Sequence, residues 1–153
     1  MRWPFLLSLL GLDVLSKVLA IHYIPPLGGG SYPFDGIGIF SLGGITCSLN
    51  YIINTGAAWG IFAGHSGLLF TIRALIILAL LFFVPKRFPI WLILIGAVGN
   101  VLDYALYGHV IDFIHFTFWG YSFPIFNIAD SCITIGVCLL LICPEKGKSS
   151  KAI

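Results

Sequence analysis

The sequence predicts an all-α membrane protein with four transmembrane helices and a small extracytoplasmic β-sheet or loop region between helices 1 and 2. Apolar residues make up 59% of the 153 residues, and charged residues make up only 9%. A soluble domain carries roughly 25% charged residues, so this chain could not cover a surface that faces water. The mean hydropathy of +1.04 also indicates an integral membrane protein. We expect residues 1–153 to form a single membrane domain.

Four apolar runs are candidates for membrane helices. The first contains Asp13 and Lys17 and is followed by no cleavage site of small residues, so we expect an uncleaved anchor rather than a signal peptide. Between the second and third runs, VPKRFP is typical of a tight turn. The predicted spans are about residues 3–21, 66–84, 88–107 and 126–143.

The region between the first two spans divides into a loop and a strand. Residues 22–44 are rich in proline and glycine and follow no helical period, which predicts a loop. From Ile45 to Asn54 apolar residues alternate with polar ones, which predicts a half-buried strand within an extracytoplasmic region of about residues 45–62. The Asn54 amide then lies where it can bind a substrate backbone, although a turn-forming role before Thr-Gly is the alternative.

Basic residues are distributed asymmetrically along the chain. Residues 22–65 and 108–125 contain no lysine or arginine. Cytoplasmic segments of membrane proteins carry the excess of such residues, so we expect both termini to be cytoplasmic and the chemistry to face outward. The basic residues outside the spans are Arg2, Lys86, Arg87, Lys146, Lys148 and Lys151.

Two aspartates occur where hydropathy predicts the membrane boundary. Asp112 follows the third apolar run, and Asp130 lies near the start of the fourth. Residues 113–129 are enough chain to bring the two carboxyls together, and converging carboxyls share a proton. One can then take a proton from water while the other polarises a carbonyl, as in aspartic proteases. The alternative is two separately hydrated residues, with Asp130 acting as a helix cap.

A second polar pair lies in the first span. Asp13 and Lys17 are four residues apart and therefore share one helix face. They are either a self-neutralised pair whose lysine reaches the membrane surface, or part of the wall of the active cavity, or both. The histidines show no HxxxH or HExxH spacing and the cysteines no CxxC pair, so we predict no metal site and no cofactor.

Several sequence blocks resemble those of the lipoprotein signal peptidase (signal peptidase II) family. GNVLD, GHVIDFIHF and FNIADS are similar to its signature blocks, LDVLSK to its first-helix Asp-x-x-x-Lys, and NTGAAWG to its Asn-x-Gly-Ala-Ala block. The blocks occur in the family's order along all four spans. The resemblance implies an intramembrane aspartic endopeptidase of the bacterial inner membrane. Such an enzyme removes the signal peptide from a diacylglyceryl-modified prolipoprotein, immediately before the lipidated cysteine.

The same resemblance implies roles for individual residues. It makes Asp112 and Asp130 the catalytic pair. It implies a prolipoprotein substrate and membrane lipids as partners, with no nucleic acid. It leaves the oligomeric state open. The supporting polar residues that it implies are Asn54, Asn100, Asn127, Asp13 and Lys17.

One position departs from the family pattern. Tyr104 follows GNVLD, where the family usually has arginine. We hypothesise that Arg73 replaces that cation and supports Asp103 or the aspartate pair, because Arg73 and Asp103 lie at similar depth in their spans. Extension of Arg73 to the membrane surface is the alternative.

Three other functions fit parts of the pattern. A quinone-linked thiol oxidoreductase needs an outward cysteine pair, and only Cys47 lies in an outward region. A proton-coupled carrier or channel predicts polar residues through both leaflets, whereas here they cluster in the outer half. A catalytically inactive, lipopeptide-binding relative accords with Tyr104, but the presence of both Asp112 and Asp130 argues against it.

Overall fold

The computed structural model describes residues 3–24, 36–55, 66–85 and 87–143. Within these ranges the chain forms four helices and four strands. The helices are α1 (Trp3–Tyr23), α2 (Ser66–Phe83), α3 (Phe88–Tyr107) and α4 (Ile128–Ile142). The strands are β1 (Ile37–Leu42), β2 (Ile45–Asn54), β3 (Val110–Phe118) and β4 (Tyr121–Ser122).

Local sequence signals set the ends of α3 and α4. Pro89 lies in the first turn of α3, where the N–H that proline lacks would have no helical partner. α3 ends at Gly108, which has a left-handed φ of 77° and donates its N–H to the carbonyl of Tyr104. α4 begins with a capping box between Asn127 and Asp130. The two helices therefore end and begin at the residues that flank β3 and β4.

The strands form one antiparallel sheet in the order β1-β2-β3-β4. In the central pair, Asn54 lies opposite Val110 and Ile52 lies opposite Asp112. This register brings Asn54 beside Asp112. Two-residue turns join β1 to β2 and β3 to β4, and every turn residue has the positive φ of a type I′ hairpin. The turn residues are Gly43, Gly44, Trp119 and Gly120.

Glycines allow α3 and α4 to approach closely. A Cβ on Gly136 would lie 2.7 Å from the carbonyl oxygen of Pro89, and one on Gly96 would overlap the carbonyl oxygen of Ala129. Small residues at helix contacts are typical of packing within membranes. The close contact places Asn100 of α3 beside the first turn of α4.

An apolar cluster joins the end of α1 to the two central strands. Its buried members are Ala20, Ile24, Tyr51, Ile111 and Phe113. This cluster holds the end of α1 against the sheet. Asp13 and Lys17 lie about one to two helical turns before Ala20, at the level where α1 packs against α3.

All four described helices are apolar, and two of them are long enough to cross a membrane. α1 and α3 are long and apolar enough to cross one, and α2 and α4 are shorter apolar helices. Many of their leucine, isoleucine and phenylalanine side chains are exposed. Such a surface is typical of helices that contact lipid.

The predicted spans overlap the observed helices, and the predicted strand is β2. The all-α class is too narrow, because the sheet has four strands. β1 lies within the expected loop at 22–44, while β3 and β4 lie in the connection between α3 and α4, where no strand was predicted. The part of the predicted strand region from 56 to 62 lies outside the described residues.

The missed strand β3 has a physical explanation. Its sequence, VIDFIHFTF, is apolar at most positions and is largely buried on both faces. A strand covered on both sides loses the alternation of polar and apolar residues by which half-buried strands are recognised.

Candidate active site

All the predicted site residues fall within the described ranges. Except for Arg73, they form one continuous network of hydrogen bonds and ion pairs that joins α1, α3 and α4 to β2 and β3. The members of the network are Asp13, Lys17, Asn54, Asn100, Asp103, Asp112, Asn127 and Asp130.

Asp112 of β3 accepts a hydrogen bond on each carboxylate oxygen. The Asn54 amide donates to Oδ2 at 2.6 Å, and the Asn127 amide donates to Oδ1 at 2.7 Å. The residue is only 1% exposed. Two amide donors therefore fix the orientation of a carboxyl that is almost completely removed from solvent.

Asp130, in the first turn of α4, is held in a similar way. The Asn100 amide donates to Oδ1 at 2.8 Å, and the backbone N–H of Asn127 donates to Oδ2 at 3.4 Å. The Asn127 side chain accepts from the N–H of Asp130 at 2.8 Å while its amide nitrogen contacts Asp112. One asparagine thus touches both aspartates, which brings together the two residues that the sequence analysis paired.

Lys17 organises the inner part of the network. Its ammonium nitrogen lies 2.7 Å from Oδ2 of Asp13, 2.7 Å from Oδ2 of Asp103 and 3.2 Å from Oδ1 of Asn100. Each of its three protons therefore has an acceptor. Lys17 is 1% exposed, so its ammonium group does not extend to the surface. Because Lys17 occupies the oxygen of the Asn100 amide, the amide nitrogen faces Asp130.

The two carboxylates that neutralise Lys17 also fix the backbone beside the cleft. Asp13 Oδ1 accepts from the N–H of Ala129 at 2.8 Å. Asp103 Oδ2 accepts from the N–H of Ile111 at 3.2 Å. Ala129 immediately precedes Asp130, and Ile111 immediately precedes Asp112. Each inner aspartate therefore holds the residue before one of the two cleft aspartates.

Asp112 and Asp130 line an open cleft of about 560 Å³. The volume lies within the usual range of small-molecule and cofactor sites. The sequence analysis did not predict the apolar wall of the cleft, although the segment FPIF, between the two aspartates, was an available signal. The other residues that line the cleft are Asn54, Arg73, Val110, Phe123, Pro124, Ile125, Phe126, Ser131, Ile133, Thr134 and Ile135.

The pKa of Asp112 is raised from 3.8 to about 7, mainly by burial and secondly by the negative charge of Asp130. Hydrogen bonds from Asn54 and Asn127, together with the charge of Lys17, act in the opposite direction. A carboxyl group with a pKa near neutrality keeps its proton at mildly acidic pH. It can therefore donate a hydrogen bond to a carbonyl group.

The sequence analysis associated Arg73 with Asp103 or with the aspartate pair, and Arg73 forms no ion pair with Asp103. The cation that pairs with Asp103 is Lys17. Arg73 instead lines the cleft together with Asp112 and Asp130. The depth of a residue within a span, estimated from the sequence, does not show which neighbouring helix its side chain faces. Lys17 of α1 was therefore not recognised as the ion-pair partner of Asp103.

Tyr104, where the resemblance implies an arginine, has a packing role. Its ring stacks on Phe70 of α2, with centroids 4.9 Å apart and planes inclined by 26°. Offset stacking of this kind favours close contact between α2 and α3.

A second polar cluster, not predicted from the sequence, lies within the sheet. His115 is fully buried, and its Nε2 lies 3.0 Å from the Ser122 hydroxyl. Its Nδ1 lies 3.3 Å from the Asn50 amide nitrogen. Burial lowers the pKa of His115, so the neutral ring joins β2 to β4 across β3. Among the described residues no group of three or more His, Cys, Asp or Glu side chains could hold a metal ion.

Residues 5–144 match the family model of signal peptidase (SPase) II. The chain belongs to the signal peptidase II family. This confirms the resemblance found in the sequence blocks. The fold is also similar to two solved bacterial membrane enzymes, both 33% identical to it, determined by the in meso method at 2.3 and 1.9 Å resolution.

The two structural similarities extend over most of each chain compared. The TM-scores are 0.75 and 0.72, and the matches cover 96% and 93% of this chain and 88% and 90% of the others. Lipoprotein signal peptidases of Staphylococcus aureus strains MRSA252 and JH9 are 45% identical over 106 residues. Those alignments cover 64% of this chain and 65% of each relative, slightly less than two thirds of the relatives' length.

Proposed function

We propose that this protein is an aspartic endopeptidase that removes the signal peptide from diacylglyceryl-modified prolipoproteins. The observation that carries the proposal is a pair of carboxylates beside an apolar cleft, the buried Asp112 and the half-buried Asp130, which both accept hydrogen bonds from Asn127. Family membership supports the substrate class, because the S. aureus relatives are named lipoprotein signal peptidases. Cleavage would occur immediately before the lipidated cysteine.

The proposed reaction needs one proton on the aspartate pair. We place that proton on Asp112, because Asp130 lies in the first turn of α4, where the positive end of the helix dipole favours the ionised form. Asp112 donates a hydrogen bond to the scissile carbonyl while the Asp130 carboxylate takes a proton from water, and the water oxygen bonds to the carbonyl carbon. Asp130 then returns the proton to the leaving amide nitrogen as the C–N bond breaks. The products are a carboxylic acid and an amine, and the pair again holds one proton.

The supporting residues position these two groups. Asn54, Asn100 and Asn127 supply amide donors that hold the carboxyl oxygens in place. In this proposal, Asp13, Lys17 and Asp103 act through them and through the backbone N–H groups of Ala129 and Ile111. A substrate carbonyl that enters the cleft therefore meets a preorganised pair.

The proposal includes a membrane topology. We infer a single domain with four spans, α1 to α4, and with both termini in the cytoplasm of a bacterial inner membrane. The absence of lysine and arginine from residues 22–65 and 108–125 supports this orientation. The cleft then opens at the outer surface, where an exported lipoprotein precursor carries its lipid. The apolar wall of the cleft suits acyl chains and an apolar signal peptide.

The test is cleavage of a synthetic diacylglyceryl-modified lipobox peptide by the purified protein in detergent. Asp112→Asn and Asp130→Asn should each lower kcat by at least about a hundredfold, because each removes one partner in proton transfer. Thr71→Val is the control, since Thr71 lies on α2 and is not among the described residues that line the cleft. This variant should retain wild-type kcat.

Thermal unfolding of all three variants establishes that they are folded. EDTA and a thiol-blocking reagent should leave cleavage unchanged. Full activity of either aspartate variant would contradict the aspartic mechanism. A wild-type protein that binds the lipopeptide and never cuts it would instead indicate an inactive, lipopeptide-binding relative.

A further inference from the structure

We propose that Arg73 binds a carbonyl oxygen of the substrate and so sets the affinity of the cleft for its lipopeptide. The inference rests on the proposed function and extends it by assigning a substrate-binding residue on α2. Arg73 is half-buried and lines the cleft that also contains Asn54, Asp112 and Asp130. Of the described residues that line this cleft, Arg73 is the only cation.

The packing of α2 directs this side chain toward the protein. Phe70, three residues earlier and so on the same helix face, stacks on Tyr104 of α3. Ile72 and Ile76 are exposed and form part of the helix surface available to lipid. Arg73 therefore belongs to the face of α2 that meets α3 and the cleft.

The guanidinium group has donors available for a ligand. Among the described residues it has no hydrogen-bond or ion-pair partner, although it lies close enough to Asp130 for their charges to interact. A guanidinium carries five N–H donors and no acceptor. An ionised group within an apolar region is costly unless it has a partner. A substrate carbonyl oxygen in the cleft would supply the missing acceptor.

Two kinds of carbonyl group occur in the proposed substrate. One belongs to the ester bonds of the diacylglyceryl group, and the other belongs to the peptide backbone of the signal segment. Both accept hydrogen bonds from a guanidinium in the same way. They can be distinguished because an ether-linked dialkylglyceryl peptide lacks the ester carbonyls and retains those of the peptide.

The experiment compares wild type with Arg73→Gln on ester-linked and ether-linked lipopeptides. Because the contact forms on substrate binding and persists in the transition state, Arg73→Gln should raise KM about tenfold or more while kcat stays close to wild type. Arg73→Lys, which keeps the charge, should recover part of the affinity. Arg87→Gln is the matched control, since Arg87 precedes α3 outside the cleft and should leave KM unchanged.

The outcomes separate the two carbonyl sources. If the ester carbonyl is bound, the ether-linked substrate should raise the wild-type KM toward that of Arg73→Gln and have little effect on the variant. If a peptide carbonyl is bound, Arg73→Gln should raise KM by the same factor on both substrates. An unchanged KM on both, or a loss of kcat and thermal stability with no change in KM, would overturn the inference.

A binding assay makes this test independent of catalysis. The dissociation constant is measured for an ester-linked lipopeptide whose scissile amide is reduced to CH₂–NH. Arg73→Gln should weaken its binding about tenfold, and equal binding by both proteins would refute the role of Arg73. Failure of wild type to cleave the ordinary peptide would refute the proposed function alone.

Discussion

At the scale of single residues, the hydrogen bonds of Asn127 show how one side chain organises the cleft. Its amide nitrogen lies within hydrogen-bond distance of Asn100, Asp112 and the carbonyl of Ile111, and its carbonyl oxygen caps α4. A side-chain amide has two protons, so these three acceptors share them. The same residue begins a helix and joins the two aspartates. Movement of α4 would therefore change the geometry of the pair directly.

The raised pKa of Asp112 predicts a pH-dependent rate. If Asp112 must be protonated to polarise the carbonyl, kcat/KM should fall above pH about 7, approaching tenfold per pH unit. The measurement is a pH profile of cleavage between pH 5 and 9. A rate that stays constant through pH 9 would contradict the assignment of the proton to Asp112.

The same shift predicts how stability responds to pH. Because the folded state raises this pKa from 3.8 to about 7, the folded protein binds the proton more tightly than the unfolded chain does. The stabilisation from Asp112 is complete below pH about 4 and is lost as the pH rises through about 7. Thermal melting of wild type should therefore decline across this window more than melting of Asp112→Asn.

The residues of the polar network could be selected from the sequence, but not all of their pairings could be predicted. Carboxylates, amides and a lysine are conspicuous in a chain with 9% charged residues, so Asp13, Lys17 and Asp112 could be selected without a structure. The ion-pair partner of Asp103, which is Lys17, could not be predicted without a structure. Helix periodicity shows how deep a residue lies in its helix and on which face of that helix it lies. How α3 is rotated relative to α1 depends instead on side-chain packing along both helices.

At the scale of elements, the close contact between α3 and α4 holds Asn100 against Asp130. Gly136 and Gly96 allow the backbones to meet, and Asn100 reaches Asp130 only at that separation. Four helices could be predicted from hydropathy, and β2 from its alternation. β3 could not be predicted, because burial on both faces leaves little alternation of polar and apolar residues to detect.

Gly136→Ala tests this helix contact. The new methyl group would lie 2.6 Å from Cγ1 of Ile93 and 2.7 Å from the carbonyl oxygen of Pro89, so the helices must separate. We expect a loss of about 1–3 kcal/mol in the free energy of unfolding and a lower kcat. Denaturation in detergent and the peptide cleavage assay measure the two effects.

Gly11→Ala is the matched control for this substitution. Gly11 also lies within a helix, α1, but a Cβ there meets nothing within 4 Å. Removing a glycine from an open helical position should stabilise the protein by about 0.5–1 kcal/mol. Equal effects of the two alanines would show that helix packing at Gly136 is not tight.

At the scale of the whole molecule, the sheet and the helix bundle meet around the aspartate pair. Asp112 comes from the sheet, and Asp130 comes from α4. The order of the helices along the chain could be predicted from composition. The sheet that joins the α1–α2 and α3–α4 connections could not be predicted. The pairing of β2 with β3 links residues more than 55 positions apart, such as Asn54 and Val110.

The proposed topology predicts opposite labelling of the two sides of the molecule. In a variant whose four cysteines are replaced by serine, a single cysteine is introduced at Ser41 of β1, which is exposed, or at Lys148 near the C-terminus. A membrane-impermeant maleimide should label Ser41→Cys in intact spheroplasts. It should label Lys148→Cys only after the membrane is permeabilised. The reverse pattern would contradict the cytoplasmic location of the termini.

The ion pair within α1 has a consequence for biosynthesis. In the proposed topology, the ribosome completes α1 before it has made Asn100 or Asp103, so Lys17 enters the bilayer without those acceptors. Asp13, four residues earlier, already provides an opposite charge on the same helix face. An unpaired lysine at the centre of a span costs about 2.5–3.5 kcal/mol during translocon-mediated insertion. α1 thus carries its own counter-ion into the membrane, where the later helices complete the coordination of Lys17.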